Sequence, residues 1–262
     1  MGFRQRIVST AAFFGVSPYH LVATLRNAPL FLRQLRAYRR LNTGPFAVSR
    51  HDLEPVLTDY RAPAGIARGH YFHQDLWAAR RIAQRRPPRH VDVGSRIDGF
   101  VAHLLTVMPV TVIDIRPLDS DVEGLTFHRG DAVRLDDIPD GSIVSLSSLH
   151  AVEHIGLGRY GDTVDPDGWV KALKEFKRVL APGGVLYLSV PIGRQRLCFN
   201  AHRVFFPSTI VEACAPLRLV TFAAVDDADR MQPSASLNEY RDARFACGLF
   251  EFTKDDPTAA AV

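Results

Sequence analysis

Apolar positions along this chain change their spacing at residue 60 and again at residue 90. In the first 60 residues, Leu30, Leu32, Leu35, Tyr38 and Leu41 recur at rough helical spacing among Arg33, Arg36, Arg39 and Arg40. Prolines at 18, 29 and 45 interrupt that stripe, so short helices are expected there. From Gly69 onward, Tyr71-Phe72, Leu76, Ala79 and Ile82-Ala83 share one helical face until Pro87-Pro88 stops it.

Beyond His90, apolar runs of strand length alternate with helical patterns. Strands are expected at His90 to Val93, Val110 to Ile115, Leu125 to His128, Ile143 to Leu149, Val185 to Val190, Leu217 to Val225 and Phe245 to Thr253. Helices are expected through Phe100, Val101, Leu104, Leu105 and Met108, through Val170, Leu173, Phe176 and Leu180 up to Pro182-Gly183-Gly184, and from Ser208 to Cys214. The unbroken apolar character of the fifth strand fits burial on both faces, as parallel sheets require. Asp226 to Arg244, polar and with little to bury, reads as a mobile loop.

Length narrows this picture: 262 residues suit one larger domain, or one domain with an appendage. The expected division is a basic helical extension over 1–60, a catalytic-type domain over 61–254 and a disordered tail over 255–262. Charge is uneven, because Met1 to Arg50 holds eight arginines, no lysine and no acidic residue, which leaves the rest at net −4. A solvated helical face is the expected role of that arm, with peripheral contact to an anionic membrane surface as the alternative. The site-bearing half is not basic, which argues against nucleic acid as a partner.

The three cysteines, Cys198, Cys214 and Cys247, are odd in number and lack metal-ligand spacing, so reduced thiols in a cytoplasmic protein are expected. No apolar run reaches the ~18–20 residues of a membrane span. Ile7 to Val16 faintly resembles a signal peptide but is followed by no convincing cleavage site, so secretion is not expected.

Candidate chemistry lies between His90 and Pro191, where residues at successive strand ends of an open parallel sheet converge on one crevice. The stretch His90-Val-Asp-Val-Gly94 places Asp92 at a strand end and a glycine at the following bend, where backbone must approach a ligand without a Cβ in the way. Asp114 ends the next strand, 22 positions later, where a carboxylate can accept both ribose hydroxyl protons. Asp131, in Gly130-Asp131-Ala132, is placed to meet an adenine amino group. The dinucleotide fingerprint Gly-x-Gly-x-x-Gly is absent, which disfavours a nicotinamide-dependent oxidoreductase.

His150-Ala-Val-Glu-His154 matches the H-x-x-E-H pattern of a zinc peptidase. Zinc would require both histidines on one helical face, yet a buried strand runs straight into His150 and the sequence continues Ile155-Gly-Leu-Gly158. No metal is therefore expected. The segment reads instead as the lip of the crevice, with His150 and His154 as candidate bases and Glu153 as their orienting partner. Arg159, Tyr160, Arg194, Asn200, His202 and Arg203 follow strands four and five and could meet a polar acceptor.

The succession Asp92-Val-Gly94, Val-Ile-Asp114, Gly130-Asp131, Leu149 to His154 and Leu180-Ala-Pro-Gly-Gly-Val-Leu186 resembles class I S-adenosylmethionine-dependent methyltransferases. Within that class, Ser145 to His150, Glu153 to Ile155, Arg159 to Gly161, Asp165-Pro-Asp-Gly168 and Phe199-Asn-Ala-His-Arg203 resemble a methyltransferase-like family of unknown function, number 268. The resemblance implies a Rossmann-like α/β fold with a seven-stranded, mostly parallel sheet and an antiparallel last strand. It further implies S-adenosylmethionine as cofactor, with residues near Gly94 at its methionine part, Asp114 at the ribose and Asp131 at the adenine, and with Asp92, Ser95, Ile115, Ala132 and Ser148 also among the cofactor-binding residues. Relatives associated with glycan assembly imply O-methylation of a glycan or small-molecule hydroxyl; a non-catalytic assembly protein of the same fold is the alternative. The sequence departs from the class at Arg96 and Asp98, where glycines are usual.

Overall fold

A computed structural model describes residues 18–256 of the chain. The signal-like stretch Ile7 to Val16 and the tail residues 257–262 lie outside the described residues. The chain divides between Ile66 and Ala67 into two compact units.

The first unit carries helix α1, Pro18–Leu41, and a return segment without regular structure. Two side chains tie helix to return segment: Asn27 Nδ2 donates to the Leu57 carbonyl at 2.7 Å, and the Tyr60 hydroxyl donates to Gln34 Oε1 at 2.7 Å. The expected break at Pro29 does not occur. Proline's fixed φ is itself helical and costs the interior one hydrogen bond plus local strain, and the ties at Asn27 and Gln34 span it on either side. The expected leucine stripe is only partly covered: Leu30 and Leu35 are half-buried, whereas Leu32, Tyr38 and Leu41 are exposed. No described helix is long and apolar enough to cross a membrane.

The second unit is a doubly wound α/β sheet. Its elements are α2 (His70–Arg85), β1 (His90–Val93), a π turn (Ile97–Val101) leading into the short α3 (Ala102–Leu105), β2 (Val110–Asp114), β3 (Leu125–Arg129) and β4 (Ile143–Leu149). There follow a 3-10 turn (Val152–His154), α4 (Gly168–Val179), β5 (Leu180–Ile192), β6 (Arg196–Cys198), β7 (His202–Val204), α5 (Pro207–Cys214), β8 (Arg218–Val225), β9 (Met231–Gln232) and β10 (Ala246–Thr253).

The sheet order is β3-β2-β1-β4-β5-β10-β8-β9, with β6 and β7 forming a separate hairpin. Strands β1 to β5 are parallel, and β10 inserts antiparallel between β5 and β8, as expected of the last strand. The sheet gains an eighth, two-residue strand, β9, from the loop that the sequence left mobile. That loop is stitched in place: Asp227 accepts from the Arg244 and Phe245 amides at 2.8 and 2.7 Å, and Ser236 and Glu239 form a capping box.

Alternation along the strands sends side chains to two cores. Leu146, Phe176, Leu188 and Ile210 pack on the α4–α5 side, and Trp77, Ile82, Phe100 and Leu249 on the α2 side. Helix α2 is also pinned electrostatically, with Arg81 and Arg85 at 2.6 and 2.7 Å from the buried Glu251 of β10. Connections after β2 and β3 contain no helix, so both strand ends open directly onto the surface.

Candidate functional site

The loop after β1 is fixed from beneath by a chain of buried polar groups. His90 bonds Ser145 Oγ at 2.7 Å and Ser147 Oγ at 2.8 Å, and Ser147 Oγ donates in turn to Asp92. Asp92 also accepts from the Ser95 amide at 3.0 Å and its hydroxyl at 2.6 Å, while Ser95 Oγ accepts from the Leu149 amide at 2.9 Å. Burial raises the Asp92 carboxyl to about 6, against the hydrogen bonds that favour its charge. Asp92 is therefore an anchor of the loop, not a ligand-facing group as the sequence suggested, because its oxygens are consumed inside the protein. Ser148 is corrected likewise: its hydroxyl donates to the Val93 carbonyl at 2.9 Å, within the sheet.

Held this way, Gly94 turns with φ +76°, in the region glycine favours, and a Cβ there would press on that of Ala151. The bend forms the floor of an open cleft of ≈ 810 Å³ counted with its mouth. Its walls include Gly94, Ser95, Asp114, Ile115, Asp131 and Ala132, all expected at the cofactor, together with His150, His154 and Tyr160. The ends of β1, β2, β3 and β4 thus converge on one cavity.

Two wall residues escaped the sequence reading. Arg116 grips Asp114 with its backbone amide at 2.8 Å, Nε at 3.0 Å and Nη2 at 2.6 Å, and lays its guanidinium over the Tyr160 ring at 4.7 Å. Tyr71, in the first turn of α2, supports Arg96, whose guanidinium lies 4.9 Å over its ring. Arg96 is also bidentate to Asp98, at 3.1 and 2.7 Å, so this departure from the glycine pattern forms a wall of the cleft without filling it.

The two histidines differ. His150 follows β4 in a left-handed conformation (φ +51°), its amide tied to the Ser189 carbonyl at 2.9 Å. Its Nδ1 lies 2.6 Å from Glu153 Oε1, which is buried behind it. Burial, the largest single influence, would lower the His150 pKa, but Glu153 and Cys247 together outweigh it and the pKa is raised well above the ordinary value. His154 Nδ1 lies 2.6 Å from the Ala201 carbonyl, and burial lowers its pKa. A carbonyl can only accept, so the His154 proton resides on Nδ1 and Nε2 carries the lone pair. Glu153 orients His150 alone, since its Oε1 lies 3.7 Å from His154 Nε2, beyond hydrogen-bond reach.

Most expected acceptor-binding residues lie elsewhere. Arg203 donates to the Ile155 and Pro166 carbonyls at 2.7 and 3.2 Å and so clamps the loop after β4. Arg159 donates to the Ala201 carbonyl at 3.0 Å and backs Tyr160. His202 packs against Phe245, and Arg194 and Asn200 belong to the β6–β7 hairpin region, outside the cleft walls. Of the H-x-x-E-H stretch, Val152–His154 form a 3-10 turn and His150 lies before it with φ +51°, so its histidines do not share a helical face.

Residues 142–220 match the model of the family described as Caenorhabditis protein of unknown function, DUF268. That span runs from β4 through the His150–His154 turn to the start of β8. No curated protein matches the chain. Among solved structures, similarity extends to a candidate sarcosine dimethylglycine methyltransferase from Galdieria sulphuraria, at 16% identity and TM-score 0.51 over 70% of this chain and 86% of that one. The N-methyltransferase NodS from Bradyrhizobium japonicum WM9 aligns at 14% identity and TM-score 0.50, over 73% of this chain and 100% of its own. The [4+2]-cyclase SpnF aligns at 15% identity and TM-score 0.50, over 74% and 86%. These likenesses establish a Rossmann-like methyltransferase fold, and SpnF marks that one fold serves more than one chemistry.

Proposed function

We propose that the protein is an S-adenosylmethionine-dependent methyltransferase acting on a hydroxyl of a glycan or small molecule. The observation that carries this reading is the single cleft in which Gly94, Asp114 and Asp131 face His154. The donor set fits such a cofactor: a Cβ-free bend admits its amino-acid end, and two carboxylates accept from ribose hydroxyls and an adenine amino group.

When bound, the sulfonium supplies an electrophilic methyl group. The chain's own part is alignment, exclusion of water and proton removal. His154, with its proton fixed on Nδ1 by Ala201, receives the acceptor's hydroxyl proton on Nε2. Tyr160 and Arg116 close one wall of the cleft, and Arg96 on Tyr71 closes another.

Transfer of label from methyl-labelled donor to hydroxyl-bearing glycan acceptors tests the assignment. His154→Gln is expected to lower turnover by roughly 10²–10⁴, the usual worth of a positioned base, with donor affinity unchanged. Unaltered turnover would remove His154 from the reaction. A second reading, a non-catalytic assembly protein, draws on the Asp114 carboxylate already held by Arg116 on both oxygens; it requires that no donor binds.

Helix α1 supports a peripheral role beside this chemistry. Leu21, Leu25 and Leu32 lie exposed on one helical face beside Arg33, Arg36 and Arg40, with no acid in the helix. This composition fits the surface of an anionic membrane.

A further inference from the structure

Behind the His150 wall of the cleft lies a cluster of groups that methyl transfer does not use. His70 opens α2, Cys247 is the second residue of β10, and His150 follows β4, so the topology brings three distant segments to one point. One ligand atom from each of His70, His150 and Cys247 lies within 4.8 Å of the others. Three atoms so spaced share a centre roughly 2.8 Å or less from each, against about 2.0–2.3 Å for zinc–nitrogen and zinc–sulfur bonds. Closing that gap takes a movement of roughly 0.5–0.8 Å per ligand, within reach of side-chain rotation.

Two details point to a ligand. His150, nine-tenths buried, has no hydrogen-bond partner for Nε2 among the described residues, although buried polar atoms are almost always paired. Its other nitrogen is bound by Glu153 Oε1 at 2.6 Å, the carboxylate support that metal-ligating histidines ordinarily have. His70 likewise has the backbone at Phe245 as a hydrogen-bond partner, and its ring stacks 5.2 Å from that of Phe245. Cys247 Sγ makes long contacts, 4.0 Å to Gln74 Oε1 and 3.8 Å to the Gly248 carbonyl, and interacts with His150.

We propose that His70, His150 and Cys247 form a site for a zinc-class divalent cation, with Glu153 orienting His150. Two imidazoles and one thiolate are a borderline-soft donor set that suits zinc over magnesium or calcium. Binding deprotonates the Cys247 thiol and takes the Nε2 position of His150, and the released protons pass to solvent. A fourth position remains for water or for an acceptor reaching through the His150 wall. The site is separate from the His154 base and does not depend on the methyl-donor reading.

Titration of the full, reduced chain with Co²⁺, a spectroscopic stand-in for zinc, tests the site directly. One equivalent is expected to give a saturable thiolate-to-cobalt charge-transfer band that Zn²⁺ abolishes. Cys247→Ser is expected to remove the band and Cys198→Ser to retain it. His70→Ala, at the half-buried start of a helix, is expected to weaken cobalt binding at least tenfold and carries the test if Cys247→Ser fails to fold. Absence of a saturable band in the unaltered chain, or equal affinity in His70→Ala, overturns the proposal. Binding of S-adenosylhomocysteine, followed in parallel, reports on the cleft alone.

Discussion

Arg116 holds the carboxylate of Asp114 edge-on, through Nε at 3.0 Å and Nη2 at 2.6 Å, two residues after the strand that delivers it. The guanidinium takes one edge of the carboxylate and the Arg116 amide also donates to Oδ1, so Oδ2 is the oxygen that keeps a lone pair for a ribose hydroxyl. On this view Arg116 positions Asp114 and does not compete for it. Arg116→Ala is expected to weaken S-adenosylhomocysteine binding about tenfold, near the low end of the ~1.5–3 kcal/mol carried by a hydrogen bond to a charged group. Tighter binding by the variant would show instead that the arginine occupies the nucleoside's place.

Asp92 gives the unit a specific pH dependence. Its carboxyl is raised by burial from 3.8 to about 6, so the folded state holds a proton that the unfolded chain releases. The stabilisation is therefore complete below about pH 4 and is lost as pH rises through about 6, amounting to roughly 3 kcal/mol. Asp92→Asn mimics the protonated form. Thermal melting of the variant is expected to vary less between pH 4 and 6 than that of the unaltered chain, and parallel profiles would dismiss the assignment.

Gly156 sits under the cleft-lining loop with φ +80°, and a methyl group there would overlap the Asp165 carbonyl oxygen. Its amide donates to Asp162 Oδ2 at 2.7 Å, so the same residue fixes a cleft wall. Gly156→Ala combines overpacking with backbone strain and is expected to cost about 2–4 kcal/mol. A denaturant titration showing no loss of stability would mean that the loop rearranges freely.

The arginine face of α1 leads to a vesicle experiment. Each arginine near an anionic surface is worth about 1 kcal/mol, so Arg36→Glu with Arg40→Glu is expected to abolish co-sedimentation with phosphatidylserine vesicles. Neutral phosphatidylcholine vesicles are expected to bind neither protein. Equal sedimentation of both proteins with the anionic vesicles would exclude the arginine face as the contact.

The frame of the site was readable because it rests on local signals. A strand followed by glycine at 94, and acids closing the next two strand-and-turn units at 114 and 131, give positions that sheet topology carries to one edge. Side-chain destinations were less readable. Asp92 and Arg203 have the residue types of a ligand site, yet Asp92 is consumed by Ser95 and Ser147, and Arg203 by backbone carbonyls. Only tertiary placement decides such cases. Arg116 had a local signal, the Asp-x-Arg spacing that lets an arginine fold back on a strand-end acid. Tyr71 had none, since an aromatic in the first turn of a helix ordinarily reads as core. Pro29 shows the opposite failure, a strong local breaker overridden by ties on either side.

The proposed activity requires that the cleft receive a sulfonium nucleoside, and isothermal calorimetry with S-adenosylhomocysteine measures this most directly. One site per chain is expected, with NAD giving no heat. Asp114→Ala is expected to lower affinity by roughly tenfold or more, the loss of a hydrogen bond to a charged group, in a variant that melts as cooperatively as the unaltered chain. Absence of binding by the unaltered protein, or equal affinity in Asp114→Ala, would contradict the account.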